Sequence, residues 1–151
     1  MPTKILMVCL GNICRSPLAE GILSHLAADR DLIVDSAGTG DWHAGQCPDA
    51  RSIAIAQKYG IDIHQQRARQ FKAADFDRFD CIYAMDQSNY THLIGLAKTD
   101  ENRAKVKLIL NEIYPNENRS VPDPYYGGED GFENVYQMLH AACTKILERV
   151  C

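Results

Sequence analysis

Cys9 and Arg15 stand six positions apart in the stretch Cys9-Leu10-Gly11-Asn12-Ile13-Cys14-Arg15-Ser16-Pro17. A thiolate is a strong nucleophile, and an arginine fork matches a tetrahedral oxyanion bidentately. Held together, the two side chains could attack a phosphoryl centre and grip its oxygens at once. That chemistry needs a backbone that aims its donors at one point. Before the cysteine, Ile5-Leu6-Met7-Val8 is a short apolar run that reads as a buried strand. After it, Ser16-Pro17 reads as a helix start with proline in the first helical position. A loop between strand and helix directs N–H groups and the positive helix end at an anion, a field that also favours the thiolate of Cys9. Leu10, Gly11, Asn12, Ile13, Cys14, Arg15 and Ser16 are therefore read as a phosphate-binding loop.

The spacing alone is a weak signal, and the chain contains its own control. Cys143-Thr144-Lys145-Ile146-Leu147-Glu148-Arg149 repeats it without a preceding strand, without glycine and with Val150 after the arginine. Inside an amphipathic helical pattern its N–H groups are consumed by the helix, so this copy is chance.

The rest of the chain must position that loop. Its 151 residues are the size of one domain, and a formal charge of −4 gives no reason to expect nucleic acid or an anionic membrane as partner. No apolar run approaches a membrane span, and the opening segment does not read as a signal peptide. Despite six cysteines, the chain is too long and its core pattern too good to need a disulfide framework, and with neither Cys-x-x-Cys nor His-Glu-x-x-His spacing no metal is expected. The expected setting is the reducing cytoplasm, with no cofactor and a monomer capable at most of weak self-association.

Helical spacing of Leu18, Ile22, Leu23 and Leu26 predicts a first helix to about Ala28. Ile33-Val34-Asp35-Ser36-Ala37 reads as a second strand. Gly38-x-Gly40 after it resembles a dinucleotide fingerprint, but His43 stands where the third glycine belongs. Pro48-Asp49 opens a helix through Tyr59, closed by Gly60. Arg67 and Arg69 read as solvated surface. Cys81-Ile82-Tyr83-Ala84-Met85 is a third strand, Asp86 opens a helix through Leu96, and Val106-Lys107-Leu108-Ile109 is a fourth strand. A final helix carries Phe132, Val135, Leu139, Ala142, Ile146 and Val150 on one face. Strands alternating with helices predict an α/β fold: a single domain over 1–151, with a central four-stranded parallel sheet and helices on both faces.

A thiolate that displaces an alcohol from phosphorus leaves an oxygen in need of a proton. Asp123, between Pro122 and Pro124, is the best candidate acid, and Tyr125 and Tyr126 could wall it from water. An Asp-Pro pair in a loop is equally plain turn chemistry.

Taken together, Val-Cys-Leu-Gly-Asn-Ile-Cys-Arg-Ser-Pro at 8–17, Asp-Ser-Ala-Gly-Thr at 35–39, Met-Asp-x-x-Asn at 85–89 and Asp-Pro-Tyr-Tyr at 123–126 resemble the low-molecular-weight protein tyrosine phosphatases along essentially the whole chain. The resemblance implies Cys9 as nucleophile, Arg15 as phosphate clamp, Asp123 as general acid and phosphotyrosine-containing proteins as partners. It further implies that Asn12, Ser16 and Ser36 hold the loop, that Asp86 supports Arg15, and that Trp42, Tyr125 and Tyr126 line the substrate crevice. Family members often carry a histidine where Gln66 stands, tied to the loop-supporting network; Gln66 could substitute as a hydrogen-bonding partner. Cys14 either packs as a small apolar residue or forms a reversible disulfide with Cys9. Two relatives on the same scaffold compete. A thioredoxin-coupled arsenate reductase needs a relay cysteine where Ser88 stands. Bacterial protein arginine phosphatases tend to carry threonine at the place of Ile13 and lack the paired tyrosines.

Overall fold

The computed structural model describes residues 2–124 and 129–150. Four strands, β1 (Thr3–Cys9), β2 (Leu32–Gly38), β3 (Cys81–Ala84) and β4 (Val106–Leu108), form one parallel sheet in the order β2-β1-β3-β4. The helices are α1 (Arg15–Leu26), α2 (Ala50–Lys58), α3 (Asp75–Arg78), α4 (Gln87–Leu96), α5 (Asp100–Lys105) and α6 (Glu129–Val150). The fold class matches the expectation. None of the described helices is long and apolar enough to cross a membrane.

Alternation along β1 divides the core. Ile5, Met7 and Cys9 face Leu18, Ile22 and Leu23 of α1 and Val135, Leu139, Ala142 and Ile146 of α6. Leu6 and Val8 face Phe76, Ile82, Leu93 and Leu108 on the other side. A strand buried on both faces reads as a continuous apolar run, which is why β1 was visible in the sequence. The odd register carries Cys9 onto the α1 side, at the carboxyl end of the central strand pair.

The structure differs from the sequence expectation in several places. Helix α1 begins at Arg15 with Cys14 at its cap, so Ser16 and Pro17 occupy the second and third helical positions. Pro17 is tolerated because N–H groups in a first turn have no intrahelical partner. Helix α1 stops at Leu26 rather than Ala28, and β4 gives way to a 3-10 turn at Ile109–Glu112. The short helices α3 and α5 lacked enough periodicity to be read. Arg69 is not merely solvated surface: its guanidinium binds the buried Asp75 at 3.0 Å and Asp35 at 3.3 Å. Tyr125 and Tyr126 lie outside the described residues.

Candidate active site

The loop after β1 is held from outside by its carbonyls. Thr39 N–H donates to the Cys9 carbonyl at 2.9 Å, Gly40 N–H to Leu10 at 3.0 Å, and Asp49 N–H to Ile13 at 2.7 Å. The Cys14 carbonyl accepts from Leu18 N–H at 3.4 Å and from the Ser52 hydroxyl at 3.3 Å. In a planar trans peptide the next N–H points opposite to the carbonyl. Anchoring these four carbonyls therefore turns the N–H groups of Leu10, Gly11, Cys14 and Arg15 the other way, into a nest for an anion. Asn12 makes the turn with φ 58°, in the left-handed region that asparagine tolerates. Gly38 lets β2 approach, since a Cβ there would lie 2.7 Å from the Leu10 carbonyl oxygen.

Beneath the loop, buried side chains fix its shape. Asn12 Nδ2 donates to Ser16 Oγ at 2.8 Å and Ser36 Oγ at 3.0 Å, while its Oδ1 accepts from Arg69 N–H at 3.0 Å. Ser16 Oγ lies 3.0 Å from Cys9 Sγ. Ser16, Asn12 and Ser36 thus form one polar cluster under the thiol. Gln66 binds elsewhere, donating to the Pro17 carbonyl at 3.1 Å.

Arg15 is 3% exposed, which is affordable only because its charge is answered on several sides. Its Nη1 donates to Asp86 Oδ2 at 2.7 Å and to the Val121 carbonyl at 3.0 Å, and Nη2 lies 3.7 Å from Asp123 Oδ2. Burial alone would weaken the charged guanidinium, but Cys9, Asp86 and Asp123 more than offset it, and its pKa rises. Asp86 serves two elements, because its other oxygen caps α4 by accepting from Asn89 N–H at 2.7 Å.

The crevice above the loop has a volume of about 170 Å³ and is lined by Cys9, Leu10, Gly11, Ile13, Cys14, Arg15, Trp42, His43 and Asp123. Leu10 is 45% and Trp42 68% exposed, so its mouth is apolar. A Cβ on Gly40 would meet the Trp42 ring at 1.8 Å, so the indole lies directly on that glycine. His43 packs over Gly11 and is held by Gln46 at 3.0 Å; sequence reading noted it only as a missing glycine. Cys14 is buried near Cys9, and burial first, then Asp49, Cys9 and Asp123, push its thiol up to about 12. It therefore sits as a neutral thiol.

Comparison with known proteins gives the family and the fold. A family model described as low molecular weight phosphotyrosine protein phosphatase matches residues 4–151. The low molecular weight phosphotyrosine protein phosphatase of Sus scrofa is 39% identical over 152 residues, covering 97% of this chain and 95% of its own. The structure of YfkJ from Bacillus subtilis has a TM-score of 0.91 at 38% identity, covering 99% of this chain and 95% of that one. A protein titled Drosophila arginine phosphatase has a TM-score of 0.90 at 36% identity, covering 98% of each chain. With a matched family spanning nearly every residue and relatives aligned end to end, the chain belongs to the low molecular weight phosphotyrosine protein phosphatases, which are hydrolases.

Proposed function

We propose that this chain, acting as one domain over 1–151, hydrolyses phosphotyrosine in proteins and other aryl phosphates through a phosphocysteine. The observation that supports it best is the meeting of thiol, guanidinium and carboxyl over one nest of N–H groups. Cys9 attacks phosphorus in line; the phosphorus–oxygen bond breaks and its electron pair leaves with the phenol oxygen, which takes a proton from Asp123. Water then attacks phosphorus and gives its proton to Asp123, the sulfur–phosphorus bond breaks, and phosphate departs with the thiolate restored. Arg15 and the N–H groups of Leu10 to Ser16 hold the equatorial oxygens through both steps. Asn12, Ser16 and Ser36 hold the loop, Asp86 steadies Arg15, and Trp42 walls the aromatic ring, a role the family resemblance extends to Tyr125 and Tyr126. Neither metal nor cofactor enters this chemistry. When a peroxide has oxidised the Cys9 thiolate to a sulfenic acid, the Cys14 sulfur attacks it, the sulfur–oxygen bond breaks, water leaves with the Cys14 proton, and the resulting disulfide protects Cys9 from further oxidation. The cytoplasm, which keeps thiols reduced, suits such an enzyme, working as a monomer with weak self-association.

Hydrolysis of p-nitrophenyl phosphate by wild type, Cys9→Ser and Asp123→Ala, across pH and with chelator, tests the reading. Turnover should vanish in Cys9→Ser, fall in Asp123→Ala and ignore the chelator. Side-by-side assays on phosphotyrosine and phosphoarginine peptides address the neighbour titled an arginine phosphatase, and faster cleavage of phosphoarginine would overturn the substrate assignment. Thioredoxin-coupled arsenate reduction would overturn the reaction class.

A further inference from the structure

Glu20, on α1, is an acid the proposed mechanism does not use. It is partly buried, with its Oε1 2.6 Å from Ser36 Oγ. At that distance the carboxylate accepts and the Ser36 hydroxyl donates. The Ser36 oxygen is left to accept from Asn12 Nδ2, 3.0 Å away. The other proton of that amide goes to Ser16 Oγ at 2.8 Å. Ser16 then has its own proton free for Cys9 Sγ at 3.0 Å, nearer than the competing Ala37 carbonyl at 3.5 Å. Every donor in this line points from the thiol side toward a fixed acceptor or back to the sulfur. The backbone N–H of Arg69 pins Asn12 from one end, and Glu20 pins it through Ser36 from the other.

The charges facing Glu20 do not neutralise it. Asp35 on β2 repels it, and Arg69, the cation that attracts it, is shared with Asp75 and Asp35. Ala56 of α2 and Leu139, Ala142 and Ile146 of α6 complete the hydrophobic core on the α1 side of the sheet. Gln66, where a histidine often stands in the family, turns its amide to Pro17 and is uncharged. Burial first, and Asp35 after it, push the Glu20 carboxyl up to about 7 against the Ser36 hydrogen bond.

Building on the reading of Cys9 as nucleophile, we propose that Glu20 is a positioning residue whose ionisation tightens the Ser36–Asn12–Ser16 relay beneath the thiolate. With Glu20 ionised, the bond to Ser36 is charge-assisted and Asn12 is held in its left-handed turn. With Glu20 protonated, that bond weakens and the relay slackens. The nucleophile is thereby tuned by a carboxyl on the opposite side of the loop from substrate.

The test is the rate at which iodoacetamide alkylates Cys9, resolved by peptide mass from exposed Cys47, in wild type and Glu20→Gln. Glutamine mimics the protonated carboxyl, so the ratio of the two rates should be near one at about pH 5.5 and differ by about threefold or more at about pH 8.5. A Ser36→Ala background should abolish that pH dependence. A role confined to filling space leaves the ratio constant with pH, and that result overturns the proposal. If Glu20→Gln does not fold, the Asn12 and Ser16 amide resonances of wild type should follow the titration of the Glu20 carboxyl, and their indifference to it overturns the proposal equally. Because alkylation needs no phosphatase turnover, an inactive wild type would sink the functional reading and leave this one standing.

Discussion

At the scale of single residues, the site is a set of charges that answer one another, and its parts separate by substitution. Asp123→Asn keeps the shape and removes the proton. Its kcat on phosphotyrosine peptide should fall about 10²–10³-fold with little change in KM. The loss on p-nitrophenyl phosphate should be smaller, since that leaving group needs less help; an equal loss on both would show that Asp123 supports the loop instead. Asp86 does two things at once, and two variants divide them. Asp86→Asn retains a helix cap but withdraws the charge beside Arg15, and should lower kcat/KM about tenfold at nearly unchanged stability. Asp86→Ala also uncaps α4 and should cost about 1 kcal/mol in urea denaturation.

At the scale of elements, the loop is shaped by what grips it from outside. Gly38 on β2 approaches it closely, and a methyl group there meets the Leu10 carbonyl oxygen at 2.7 Å and the Asn12 nitrogen at 3.2 Å. Both are backbone atoms that cannot swing aside. Gly38→Ala should displace the loop and cut kcat/KM about 10²-fold, the scale expected of a misplacement near 1 Å. Gly95 on α4, with nothing within 4 Å of its added methyl, is the contrast. Gly95→Ala should leave turnover unchanged and raise stability by up to about 1 kcal/mol. These differences mark what the sequence made legible. The doubly buried β1, the loop and the amphipathic α6 announced themselves through apolar runs and periodicity. Ser16-Pro17 looked like a cap because serine and proline usually are one; tertiary bonding to Asn12 and Cys9 claimed the hydroxyl instead. Arg69 read as solvated because its partners, Asp35 and Asp75, are brought to it only by folding. Glu20 left a faint trace, the one charged side chain between Arg15 and His25 on α1, with nothing local to say what it faces.

For the whole molecule, that carboxyl links the stability of the fold to pH. Burial raises its folded-state value to about 7 from an ordinary 4.5. Between those limits the folded chain keeps a proton that the unfolded chain has released. Folding therefore binds protons, and stability falls as pH rises through this window, reaching its floor above about 7. The full span is on the order of 2–3 kcal/mol, as burial of one charge at a helix–sheet junction would cost. Other groups add their own slopes, so the difference between wild type and Glu20→Gln isolates this one. Urea denaturation at about pH 5 and pH 8 should show the glutamine variant gaining on wild type by that amount at the higher pH. The penalty persists in the folded enzyme because the same ionisation holds Ser36 and, through it, the loop under Cys9. A variant that is more stable at pH 8 and slower to alkylate there would show stability given up for a positioned nucleophile. Equal stability differences at both pH values would mean that Glu20 is already ionised across the range, and that the fold pays nothing to keep it so.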